Sequence, residues 1–169
     1  VVALFVAARI ALWPGVALPV QLAAVVALLP LPGVLLLVLP ALVKASTPRL
    51  FGPPALIMLF WLGDVLMLAE LAGWTTNSFA TGRLLSLDIA LALVGLIGGR
   101  IVPAFTLNAL RRAGTPVELH PIPGLDQAAM VALLLVAAVD LVAPDSTAAG
   151  VVAAIAAVLV LLRLSRWHG

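Results

Sequence analysis

The sequence predicts an all-α, polytopic transmembrane bundle of five full spans plus one truncated span. Three observations predict it. Hydrophobic residues make up 64% of the 169 and charged residues only 9%, with a mean hydropathy of +1.28. Soluble domains carry about 25% charged residues, so no soluble core accommodates this chain. Apolar runs approaching or exceeding the ~20 residues that cross a bilayer recur between Pro, Gly and charged punctuation. Basic residues gather in alternate connections. The pI near 10.5 is no nucleic-acid signal, because nine basic residues meet seven acidic ones without forming a patch. The absence of cysteine excludes thiolate haem ligation, iron–sulfur clusters and disulfides.

One transmembrane domain, 1–169, is expected, with six apolar segments. The first, 1–13, is stopped by Pro14-Gly15. It reaches only roughly 20 Å against a hydrocarbon core of ~30 Å, so the chain is expected to open part-way through a span. No basic n-region or cleavage pattern marks Val1 as a signal peptide. The second segment, 16–43, is interrupted by Pro19, Pro30, Pro32-Gly33 and Pro40. The third, 53–72, opens on Pro53-Pro54, a favourable helix start. The fourth, 79–112, is long enough to span and then follow the inner surface. The fifth and sixth are 125–142 and 146–164.

Charge distribution tests this division. Lys44, Arg49, Arg111, Arg112, Arg163 and Arg166 fall on one side, and only Arg9 and Arg83 on the other. Six against two places the first side in the cytoplasm. The loops 44–52 and 111–124 and the C-terminal end are therefore expected inside. Trp13, Trp74 and Trp167 stand at segment ends as interfacial anchors, whereas Trp61 is mid-span and expected to pack between helices. Gly95 with Gly99, and Gly150 with Ala154, are small-xxx-small pairs that argue close helix contact. Glu70 and Arg83 flank one outer loop and are placed for an exposed ion pair.

The least ordinary stretch follows the apolar run 84–97. It reads Ile97-Gly98-Gly99-Arg100-Ile101-Val102-Pro103-Ala104-Phe105-Thr106, with Asn108-Ala109-Leu110 after it. Arg100 keeps its charge near lipid and must find acceptors or reach headgroups. Pro103 removes a helical donor in the turn that begins near Gly99. A polar junction is expected here, built on Gly98, Gly99, Arg100, Pro103, Phe105, Thr106 and Asn108. The plainer reading is a helix end with a snorkelling arginine.

This stretch resembles the signature segment of the NnrS family, multi-spanning bacterial inner-membrane proteins that contain haem and copper and are linked to nitric-oxide stress and denitrification. The resemblance implies a nitric-oxide-related role, a bacterial inner-membrane location, and haem and copper as cofactors. Members of that family are longer and carry histidine-rich segments absent here, so the chain reads as a central section. Most haem and copper ligands are then expected beyond it, and the remaining helices of the full-length protein join the lipid bilayer as partners.

Two intramembrane acids carry the other candidate chemistry. Asp64 is nine residues from Gly73 and Asp88 nine from Phe79, so each lies roughly 13 Å below the outer face. An acid near mid-membrane costs about 2.5–3.5 kcal/mol, so both are expected to face a polar interior. Paired, they form a step in a proton path; otherwise they hydrogen-bond helices together. On a helical wheel Asp88, Gly95, Gly99 and Thr106 share one line, and Arg100 points away from it. His120 and His168 are the sole imidazoles, without paired ligand spacing, and His120 reads as a solvated loop residue. A proton-coupled transporter using Asp64 and Asp88, and a non-catalytic scaffold, are the rival functions. Whether the whole protein is an enzyme stays open at this stage.

We predict that single cysteines at Thr47 and Gly114 are labelled from the cytoplasm, and those at Thr76 and Thr147 from the opposite side. Labelling of Thr47 and Thr76 from one side would contradict the six-segment division.

Overall fold

The structure, a computed structural model, describes residues 1–45, 51–114 and 122–165. Among these residues the chain forms seven helices and no strand: α1 (Val2–Ala11), α2 (Val20–Leu28), α3 (Pro30–Ala45), α4 (Gly52–Leu71), α5 (Phe79–Arg112), α6 (Leu125–Val142) and α7 (Thr147–Ser165). Five stretches are long and apolar enough to cross a membrane: Val20–Lys44, which joins α2 to most of α3, and then α4, α5, α6 and α7. The helix α1 is apolar but shorter.

Burial is arranged for lipid rather than water. The buried set is dominated by alanine, with Ala24, Ala92, Ala129 and Ala156 all almost fully covered, while Leu36, Leu37, Val94, Phe105 and Leu161 are exposed. Between helices in lipid there is no hydrophobic driving force, so small residues go inside to let backbones approach, and large ones face the acyl chains. Trp13 and Trp74 are exposed at helix ends, where interfacial anchors belong.

The chain divides into two compact units, Val1–Leu87 and Asp88–Gly169, with α5 contributing to both. In the first, α1 packs on α2 and α3, and α4 on α2 and α3. The interrupted second segment is two helices meeting at Leu29, and the sequence explains the break. Pro32 has no N–H to give Leu28, the carbonyl four residues before it. Trp61 supplies the missing donor, its Nε1 donating to the Leu28 carbonyl at 2.9 Å. An unpaired carbonyl in hydrocarbon costs several kcal/mol, so a mid-span indole at this point is a repair.

Helices α4 and α5 cross closely through glycine. A Cβ on Gly82 would stand 2.6 Å from the Gly63 carbonyl, and one on Gly63 would overlap the Ser86 hydroxyl. The connection between α4 and α5 is fixed by polar caps. Gly73, at φ +75°, ends α4, with the Trp74 N–H on the Ala69 carbonyl and the Gly73 N–H on the Glu70 carbonyl. The Glu70 carboxylate accepts the Phe79 N–H at 2.6 Å and so caps the start of α5. That corrects the expected Glu70–Arg83 ion pair: the acid is engaged by a helix N-terminus, and Arg83 is exposed. Ser78 Oγ donates to the Leu66 carbonyl at 2.8 Å, tying the same corner to α4.

In the second unit α6 packs along α7. Ser146 caps α7, its Oγ accepting the Ala149 N–H at 3.1 Å. Of the two small-residue pairs, Gly150 and Ala154 make no close contact: Gly150 has open space where its Cβ would stand, and both are exposed. The other pair does make contacts, with a partner of a different kind described below.

We predict that Trp61→Phe destabilises the protein by about 1–3 kcal/mol, the cost of one orphaned buried acceptor. Pro32→Ala restores an N–H at the break and should recover most of that loss. Thermal unfolding of the detergent-solubilised protein measures both, and equal loss with and without Pro32→Ala would contradict the repair role.

Candidate functional site

The buried side of α5 is a stripe. Leu85, Asp88, Ile89 and Ala92 are buried one or two turns apart, and Gly95 and Gly99 continue the line. Residues three and four apart share a helix face, so this line meets whatever packs against α5.

Arg163 meets it. This residue stands in the last turn of α7 and is only 7% exposed. Its Nη1 donates to the Gly95 carbonyl at 2.7 Å, and its Nε donates to Asp126 Oδ1 at 2.7 Å. A Cβ on Gly99 would overlap both Cζ and Nη2 of the guanidinium. A Cβ on Gly95 would lie 3.0 Å from Leu133 Cδ1 of α6. The Gly95-xxx-Gly99 pair is therefore the seat of a guanidinium. The planar fork of arginine explains the choice, since one flat group lies against bare backbone and still donates to α5 and α6 at once. Asp126, in the first turn of α6, keeps 59% of its side chain exposed, so the junction opens at a helix-end rim.

The sequence reading took Gly95 and Gly99 as a helix–helix groove and counted Arg163 among the flanking charges. Burial removes Arg163 from that count, which leaves Lys44, Arg49, Arg111, Arg112 and Arg166 against Arg9 and Arg83, so the expected orientation is unchanged. A signal was present: Arg163 falls inside the sixth apolar segment, and Asp126 is the second residue of the fifth. Consecutive antiparallel segments bring those two ends together.

Each intramembrane acid has a charged neighbour in its own unit. Asp88 is 8% exposed and has Asp140 of α6 as a close carboxyl neighbour. Asp88 Oδ2 is buried without a hydrogen-bond partner among the described residues, as is Ser86 Oγ. Asp64 sits near Arg9 of α1. The sequence reading did not single out Asp140 as a neighbour of Asp88.

The remaining signature residues lie along the second half of α5. Gly98, Pro103 and Thr106 are half-buried, and Asn108 is exposed. Phe105 is 71% exposed, directed away from the packed stripe. Arg100 is on α5, and its side chain lies outside the described residues, as do His120 and His168. Among the described residues no group of three His, Cys, Asp or Glu stands close enough to hold a metal ion.

Five apolar spans and an alanine-lined interior define a multi-pass α-helical membrane protein. The family described as NnrS protein matches residues 1–169, the whole chain, and the chain belongs to that family. Neither a curated protein nor a solved structure matches it significantly.

We predict that Gly99→Ala costs about 1–3 kcal/mol in the otherwise unchanged protein, the usual range for forced overpacking. In an Arg163→Ala background the same change should cost less than about 0.5 kcal/mol, because the group it collides with is gone. Thermal unfolding in detergent provides the cycle. An equal cost in both backgrounds would mean that Gly99 serves helix contact alone.

Proposed function

We propose that this chain is a membrane-embedded section of a bacterial inner-membrane protein that acts in the response to nitric oxide. Haem and copper are the cofactors the family resemblance implies, held by side chains beyond those described. Membership of the NnrS family across residues 1–169 carries the proposal. The geometry adds a role for the chain's own residues. Arg163 locks α5 to α6 and α7 at Gly95 and Gly99, immediately before the signature residues. The segment from Arg100 to Asn108 is thereby displayed from a fixed helix, with Phe105 outward and available to another helix of the full-length protein.

A second reading, proton-coupled transport, is favoured by one observation, the contact between Asp88 and Asp140 inside the second unit. Acids on neighbouring membrane helices are what a proton path requires. In this reading Asp140 joins Asp88, and Asp64 is the other intramembrane acid proposed to take part. Substrate-driven proton uptake abolished by Asp88→Asn would select it.

Complementation of a deletion strain under nitric-oxide exposure tests the first reading. The wild-type gene is expected to restore growth. Arg100→Lys should lose nearly as much protection as Arg100→Ala at normal membrane levels, because lysine keeps the charge but not the fork. Full protection by Arg100→Lys would reduce Arg100 to a snorkelling residue, and no growth defect on deletion would remove the nitric-oxide role.

A further inference from the structure

The α6–α7 hairpin is a ruler for α5. With 18 and 19 residues its helices are each about 27–29 Å long, close to the ~30 Å hydrocarbon core. Helix α5, at 34 residues or roughly 51 Å, is far longer than that core. Its level against the hairpin is set at Gly95 and Gly99, where Arg163 of the last turn of α7 is seated and holds Asp126 of the first turn of α6. The residues 100–112 therefore run on past the hairpin's end, by roughly 20 Å along the helix axis. A headgroup layer is only about 5–7 Å deep on each side, so an upright helix would carry its end into water.

The overrunning segment has the chemistry of a boundary between lipid and water. It holds three arginines, and no acidic residue occurs between Asp88 and Arg112. On a wheel of about 100° per residue Asn108, Arg111 and Arg112 fall within about 100° of one another. Val102, Phe105, Leu107, Ala109 and Leu110 occupy the wider arc opposite, and Ile101 is the one large apolar residue on the polar side. That apolar arc is only part covered: Leu107 and Leu110 are half-buried, whereas Val102, Phe105 and Ala109 are exposed. Arg111 and Arg112 are exposed too, and neither forms an ion pair among the described residues. A basic face opposite an apolar one is the pattern of a helix lying in the membrane interface. Pro103 cannot bond the Gly99 carbonyl, which leaves α5 pliable at the level where the hairpin stops.

Two adjacent guanidinium groups without a protein acceptor, beside an apolar arc, match the phosphate oxygens of lipid headgroups. A zwitterionic headgroup carries its own ammonium, so net attraction calls for an anionic lipid. We propose that the end of α5, from Pro103 to Arg112, lies in the headgroup layer and binds anionic phospholipid, with Arg111 and Arg112 on the phosphates and Phe105 and Ala109 toward the acyl chains. The inference goes beyond the nitric-oxide reading and does not rest on it.

Spin labelling of the full-length protein tests it, with a nitroxide on a single cysteine placed at Ala109. In nanodiscs of phosphatidylcholine with phosphatidylglycerol the label is expected to be open to oxygen and shielded from a water-soluble nickel chelate. In phosphatidylcholine alone, or at high salt, it should shift toward the nickel-accessible state, because the attraction is screened or absent. Arg111→Gln combined with Arg112→Gln should abolish the shift that phosphatidylglycerol produces. Arg111→Lys combined with Arg112→Lys should keep most of it, since an ammonium also attracts phosphate. Arg83→Gln, an exposed arginine at the other end of α5, should leave it unchanged. Equal oxygen exposure in both lipids would mean an apolar anchor without anionic recognition, and nickel access in both would place the segment in water. Exclusion of both reagents would mean that another helix covers this face. Any of these three, or an unchanged shift in the double glutamine variant, would overturn the lipid site.

Discussion

A guanidinium that cannot lose its proton, buried at one end of α7, constrains the second unit more than any other group. Removing such a charge from water is offset only when its donors are satisfied in good geometry. Arg163 meets that condition with one backbone carbonyl and one carboxylate, both at 2.7 Å. Each partner comes from a different helix. The register of α5 against α7, and of α6 against both, is consequently set by a polar group in a medium where apolar packing sets register poorly. The alanine-rich faces of α6 and α7 let the backbones approach, and Arg163 decides where along the helices they stop.

Backbone satisfaction imposes the matching constraint in the first unit. Prolines in a membrane helix release carbonyls that no water is present to take up. At Pro32 the released Leu28 carbonyl is taken by Trp61, which fixes α4 beside the break. At Gly63 and Gly82 the helices come so close that any side chain would collide with backbone. These two contacts hold α4 from both sides, and Asp64, one residue beyond Gly63, is thereby carried to a defined place in the first unit. The position of the acid follows from the contacts around it.

Most of the fold was legible because bilayer thickness and charge asymmetry act on short windows of sequence. The runs 53–72, 79–112, 125–142 and 146–164 correspond within a residue or two to α4, α5, α6 and α7. The interrupted run 16–43 announced its own break through Pro30 and Pro32, though not the residue that repairs it. What stayed hidden was pairing. Gly95 and Gly99 carry the spacing of a helix–helix groove, and nothing local says that a side chain 68 residues away fills it. Counting depth related Asp88 to Asp64, the acid on the preceding span, and gave no sign of Asp140, its neighbour on the following one. Depth along a helix can be counted from sequence; rotation about the helix axis accumulates error with every proline and glycine.

Three constellations of charge occupy this membrane protein, and they differ in whether they are closed. Arg163 and Asp126 are closed by direct contact, and a closed pair holds helices together without needing anything else. Asp88 and Asp140 are neighbouring carboxyls on α5 and α6, two groups of like kind set against each other inside the second unit. Arg9 and Asp64, near one another in the first unit, form no direct ion pair. Asp64 is held on α4 beside the Gly63–Gly82 crossing, whereas Arg9 is exposed in the last turn of α1, over the Phe5 ring. A long cationic side chain at a helix end can keep its head at the membrane–water boundary, so its charge is accommodated without closing on the acid.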